Sequence, residues 1–112
     1  MEKKSFHAYE AALGLVAALR PVHEALRARD RDLADQIRRA ASSVALNLAE
    51  GNRRAGRDRV QHFRTAAGSA GEVRAALAVG QAWGEIDECP EVEALLDRVL
   101  AMLWRLTHGP GR

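Results

Sequence analysis

The chain is predicted to fold as an all-α, up-down-up-down four-helix bundle. Three observations predict it: apolar residues recur every three or four positions in four stretches, three short breaks separate those stretches, and no useful length alternates apolar with polar residues as a strand would. The 112 residues, 1–112, are the size of one domain with one hydrophobic core. Hydrophobic residues make up 47%, yet only two Phe, one Tyr and two Trp are among them. Leu, Val and many Ala must therefore fill the interior, which suits closely packed helices.

The first helix is expected from about Ser5 to Arg29. Phe6, Tyr9, Leu13 and Val16 fall at spacings of three and four, with Ala12, Leu15, Leu19, Val22 and Leu26 as an adjacent row. Two rows exceed what one corner of a bundle must bury, and the surplus predicts contact with another subunit. Pro21 lacks an N–H and predicts a kink near residues 17–21, or a break; a kink that turned the helix across the bundle would instead hide the second row within a monomer.

The second helix is expected from about Asp32 to Gly51. Leu33, Ile37, Ala40, Ala41, Val44 and Leu48 share one face, and Gln36, Arg39, Ser43, Asn47 and Glu50 another. Asp30 or Asp32 can cap its start, and Gly51 can supply the left-handed residue just past its end. The third helix, about Arg57 to Trp83, packs through Val60, Phe63, Ala67, Ala70, Val73 and Leu77 but contains AAGSAG at residues 66–71. Each Gly there costs about 1 kcal/mol of helix propensity relative to Ala. Close approach of another helix is the expected compensation, a break the alternative. The fourth helix begins after Gly84, with Asp87 as N-cap and Pro90 in the first turn, and continues through Val92, Leu95, Leu96, Val99, Leu103 and Leu106 to the tail from His108 to Arg112. Connections this short make successive helices antiparallel.

Composition then narrows the function. A single cysteine, Cys89, excludes an internal disulfide and a cysteine metal cluster, and fits a reducing cytosol. The N-terminal stretch has neither the apolar core nor the cleavage site of a signal peptide, and no run approaches the roughly 20 apolar residues that span a bilayer. A soluble cytoplasmic protein without a membrane role is expected. There is no Gly-x-Ser-x-Gly elbow, no phosphate loop and no dinucleotide fingerprint. No Glu-x-x-His occurs, and His7, His23, His62 and His108 share no spacing, so neither a metal site nor a cofactor is expected. Cys89 lies in a helix first turn, but Glu88 and Glu91 flank it and oppose a thiolate. The chain is therefore read as a binding protein rather than an enzyme, with no small-molecule substrate.

The net charge is only +2, yet residues 27–64 hold ten Arg against five acids, and residues 65–112 hold four Arg against seven acids. That asymmetry suits an anionic partner or head-to-tail self-association; solvated helix faces are the plainer reading.

One segment carries more information than its periodicity. Residues 35–51 read DQIRRAASSVALNLAEG, followed by Gly51-Asn52-Arg53-Arg54, Phe63, Ala67-Gly68-Ser69 and Glu72. This run closely resembles the SQIRRAAxSIxxNIAEG signature, and the later GSxxE element, of bacterial four-helix-bundle proteins encoded by intervening sequences in large-subunit ribosomal RNA genes. The resemblance spans almost the whole chain. It implies a compact up-down bundle and, by analogy with some members, a ring-like homopentamer. The related accessory variability proteins of diversity-generating retroelements bind a reverse transcriptase and nucleic acid, so the resemblance also suggests RNA, DNA or such an enzyme as partner. Ribosome membership is not implied by gene location. This chain departs from the pattern before the third helix, where Gly56 and Arg57-Asp58-Arg59 replace a Ser cap and a Lys-Glu pair.

Two readings of the polar residues follow. In one, Arg38 or Arg39 pairs with Glu50 or Glu72 and Asn47 bonds across helices, giving a structural polar layer of Arg38, Asn47, Glu50 and Glu72. In the other, Arg39, Arg53, Arg54, Arg57 and Arg59, with Arg38, face solvent and contact phosphates. A division of labour is expected, with the structural role falling to Arg38, Asn47, Glu50 and Glu72. No aromatic residue interleaves with the turn arginines, which argues against base stacking there.

Overall fold

A computed structural model describes residues 3–109; Met1, Glu2 and the last three tail residues, 110–112, lie outside the described residues. Four helices follow in chain order: α1 (Lys3–Arg27), α2 (Arg31–Asn52), α3 (Gly56–Ala82) and α4 (Pro90–His108). Each packs on the helix before and after it, and α4 closes the ring of contacts against α1. The described residues contain no strand, and the architecture is the up-down-up-down bundle that the periodicity predicts.

The core is one contiguous cluster built from aliphatic side chains. Phe63, Leu15, Leu26, Ile37, Leu48, Leu96 and Leu103 are fully buried, Phe63 being the largest of them, and many of the remaining buried positions are Ala. Burying each large side chain contributes about 1.5–3 kcal/mol. Of the two apolar rows of α1, the one with Ala12, Leu15, Leu19 and Leu26 is buried; in the other, Phe6 and Leu13 are exposed while Tyr9 and Val16 are half-buried against the core, and Leu46 on α2 is exposed as well.

Local chemistry explains most of the helix ends. Asp30 caps α2, its carboxylate accepting from the Leu33 N–H at 3.0 Å. Helix α1 runs unbroken through Pro21, so the break considered above does not occur. Cys89, not Asp87, is the N-cap of α4. Pro90 accounts for the difference, because it fixes helical φ at the first position and pushes the residue before it into an extended conformation.

One glycine expectation is corrected, and another finds no support within the single bundle. Gly51 is not a left-handed residue beyond α2; it lies inside the helix, where a Cβ would stand 2.5 Å from Phe63 Cε1. Its role is to admit the Phe63 ring. Gly68 and Gly71 face open space, with nothing of the chain within 4 Å of an added Cβ, so neither serves contact between helices of this bundle. The positions that do need glycine's conformational freedom are Gly56 (φ 62°) and Gly84 (φ 73°), at the two tight connections flanking α3.

Candidate functional site

Antiparallel winding gathers the start of α1, the end of α2, the start of α3 and the end of α4 at one end of the bundle. Arg59 joins three of them: its guanidinium donates to Ser5 Oγ on α1 (3.0 Å) and to the Gly51 carbonyl on α2 (3.4 Å), and it lies 5.1 Å over the Phe63 ring. Lys4, His7, Met102, Arg105 and Leu106 line a cleft of about 250 Å³ between α1 and α4 at the same end. The charge asymmetry of the sequence thus becomes spatial. Lys4, Arg53, Arg57 and Arg105 are exposed here, while Glu85, Asp87, Glu88 and Glu91 gather at the opposite end around the α3–α4 connection.

The five arginines expected to contact phosphate do not act alike. Arg53 and Arg57 are exposed, Arg53 making only a long 3.7 Å approach to Glu50. Arg54 is bridged between Glu50 (2.9 Å) and Asp58 (2.7 Å), so its charge is largely answered within the chain. The Arg54 hydrogen bond holds the Glu50 carboxyl below the usual carboxylate range. Arg59 is half-buried and committed to the clasp described above. Arg39 is exposed on α2 more than three helical turns from this end.

The expected structural layer is corrected in part. Asn47 does bond across helices, but Arg38 and Glu72 are exposed and make no ion pair among the described residues, and Glu50 pairs with Arg54 and Arg53 rather than with Arg38 or Arg39. Each of Arg38 and Glu72 lies one residue from a buried position, Ile37 or Val73, and one residue is a turn of about 100° around a helix. Sequence neighbours of the core are therefore not its spatial neighbours.

The polar layer that the bundle does contain runs along the α2–α3 seam. Asn47 Nδ2 donates to the Ser43 carbonyl and to Ser43 Oγ, both at 3.0 Å, which leaves its Oδ1 to accept from His62 Nδ1–H at 3.1 Å. Ser43 Oγ reaches Ser69 Oγ at 2.8 Å. The far side of His62 approaches Asp58, the Arg54 partner, at 4.0 Å. His62, Ser43 and Ser69 were absent from the expected set. The spacing could have found them, since Asp58, His62 and Ser69 repeat at four and seven residues, one face of α3. Replacing Asn47 by Ala strands the His62 donor and is expected to cost about 1–2 kcal/mol, read as a lower urea midpoint with an unchanged slope.

At the acidic end burial pushes the Glu85 carboxyl above its ordinary range, and the neighbouring Asp30 carboxyl adds to the shift. An acid whose folded pKa is raised costs stability while ionised, and the cost disappears as pH falls through that raised value. Glu85→Gln is therefore expected to raise the melting temperature at neutral pH, with the gain shrinking on acidification. Burial likewise pushes the Cys89 thiol up, with Glu93 adding to the effect, so it stays protonated at neutral pH.

No group of three or more His, Cys, Asp or Glu side chains among the described residues could hold a metal ion. No helix among them is long and apolar enough to cross a membrane. The arrangement defines an all-α bundle with a basic end, an acidic end and a hydrogen-bonded seam between α2 and α3. The family model that matches residues 4–105 is that of the 23S rRNA-intervening sequence proteins. The chain belongs to this family. No curated protein and no solved structure matches it.

Proposed function

We propose that the chain is a non-enzymatic, oligomeric adaptor of the cytoplasm whose basic end binds nucleic acid, RNA or DNA, or the anionic complex of a nucleic-acid enzyme such as a reverse transcriptase. The observation that carries the reading is the grouping of exposed Arg53, Arg57, Arg105 and Lys4 at one end, opposite an acidic end. Arg57 and Arg105 make no ion pair among the described residues and Arg53 only a long, exposed one to Glu50, so these guanidiniums keep most of their charge and their bidentate donors for phosphate. Replacing Arg53, Arg57 and Arg105 together by Gln is expected to leave helicity intact, weaken binding to mixed-sequence RNA or duplex DNA, and reduce the salt slope by about one per lost phosphate contact. Equal affinity and slope in both proteins would refute this role of the basic end. Arg54 and Arg59 are left out because hydrogen bonds within the chain already hold both guanidiniums.

A second reading, a structural or protein-interaction module with no nucleic-acid role, is favoured by the exposed Phe6, Leu13 and Leu46. Self-association would bury these exposed side chains between subunits, with a homopentameric ring as the assembly that the family resemblance suggests. Light scattering tests it: a mass that stays near 12.2 kDa as concentration rises would reject the oligomer.

A further inference from the structure

The α3–α4 face carries an aromatic feature that neither reading above uses. Trp104 is 60% exposed, and its indole stacks on the His108 imidazole with ring centroids 4.6 Å apart and planes inclined by only 8°. The stack is held in place, because His108 Nδ1 bonds to the Trp104 carbonyl at 3.1 Å, and Thr107 Oγ1, anchored on the Leu103 carbonyl, lies 2.9 Å from the same nitrogen. A large apolar ring is thus exposed in a fixed orientation.

Its surroundings follow from the register. The Arg74–Asp97 ion pair sets α3 against α4. Two helical turns along α4 from Asp97 is Trp104; two turns back along α3 from Arg74 is Ala67, with Gly71 and Arg64 on the same side. Nothing of the chain stands within 4 Å of where a Gly71 Cβ would be. The wall beside the indole is therefore low. Arg64, level with His108, is exposed and makes no ion pair among the described residues.

We propose that this face is a stacking platform for unpaired nucleobases, so that the nucleic acid bound at the basic end is single-stranded. The proposal rests on the nucleic-acid reading above and deepens it. An exposed flat ring offers stacking to any base, and a duplex cannot use it because its bases are already stacked on one another. Arg64 supplies the adjacent phosphate contact. The other exposed tryptophan is an internal control: Trp83 is 75% exposed but lies beside Glu85 and Asp87, where phosphates are repelled.

The test compares a labelled twelve-nucleotide oligo(U) with a mixed-sequence duplex of equal length, about twelve base pairs, at low salt. Trp104→Ala is expected to weaken oligo(U) binding about tenfold, leave duplex binding and the salt slope unchanged, and leave the circular dichroism spectrum intact. Trp83→Ala should bind as wild type, and its remaining Trp104 fluorescence should be quenched by oligo(U). Arg64→Gln should lower the salt slope by about one. If Trp104→Ala binds oligo(U) as tightly as wild type while duplex still binds, the platform is refuted and the nucleic-acid reading stands. Failure of wild type to bind either probe overturns both. A Trp104→Ala protein whose mass falls in light scattering, with oligo(U) binding unchanged, would assign the face to self-association instead.

Discussion

Phe63→Ala is expected to destabilise the bundle by about 3–5 kcal/mol, the range for removing a fully buried aromatic ring. Phe63 is 1% exposed and is the largest of the fully buried side chains. It also fills the space that Gly51 leaves and supports the Arg59 guanidinium from beneath. A domain of this size has roughly 5–15 kcal/mol in total, so the variant should unfold at a far lower urea concentration. The helical signal and the Arg59 clasp should weaken together, since the guanidinium loses its support. A shift in urea midpoint corresponding to less than about 1 kcal/mol would mean that the ring does not hold this end together.

The second large effect comes from the opposite side of the same contact. Gly51→Val is expected to cost about 2–3 kcal/mol, because overpacking a filled core forces rotamer and backbone shifts. An added Cβ would meet Phe63 Cε1 at 2.5 Å, Cδ1 at 2.9 Å and Cζ at 3.2 Å, and the buried ring has Arg59 over its face. The helix-propensity gain over Gly is only a few tenths of a kcal/mol, too little to offset that strain. Coupling distinguishes this cause from a general defect: in a Phe63→Leu background the cost of Gly51→Val should fall sharply, a double-mutant cycle with interaction above about 1 kcal/mol. Additive costs would assign the glycine some other role.

These two residues also show where sequence reasoning reached its limit. The helices were legible because their signal is local: Leu33, Ile37, Val44 and Leu48 repeat at helical spacing, and α2 appears within a residue of where they place it. In the sequence Gly51 looks like a helix terminator because it follows the last apolar residue of that repeat, whereas its reason is a ring twelve positions later. The same limit applies to Arg59. In the sequence it adds to a run of positive charge; in the fold it reaches back 54 residues to Ser5. Asn47 sits on the polar face of α2 but is embedded among small apolar residues where a polar side chain must find a partner, and it bonds across to His62 as expected. Arg38 and Glu72 obey no such constraint, since a step of one residue takes them off the stripe and into solvent. The basic end was half legible: residue type identifies the arginines, but only the positions of Glu50 and Asp58 show that Arg54 is answered.

The clasp at Arg59 has a counterpart. At the acidic end Arg29 Nη1 donates to the Gly84 carbonyl at 3.2 Å, across 55 residues. Each bond therefore closes a loop of about half the chain, and loop-closure entropy makes such a contact unfavourable until the intervening helices are already in place. Neither can help to start folding. They act as latches that engage last, and their amides and guanidiniums report whether the chain has completed its winding rather than merely formed helices.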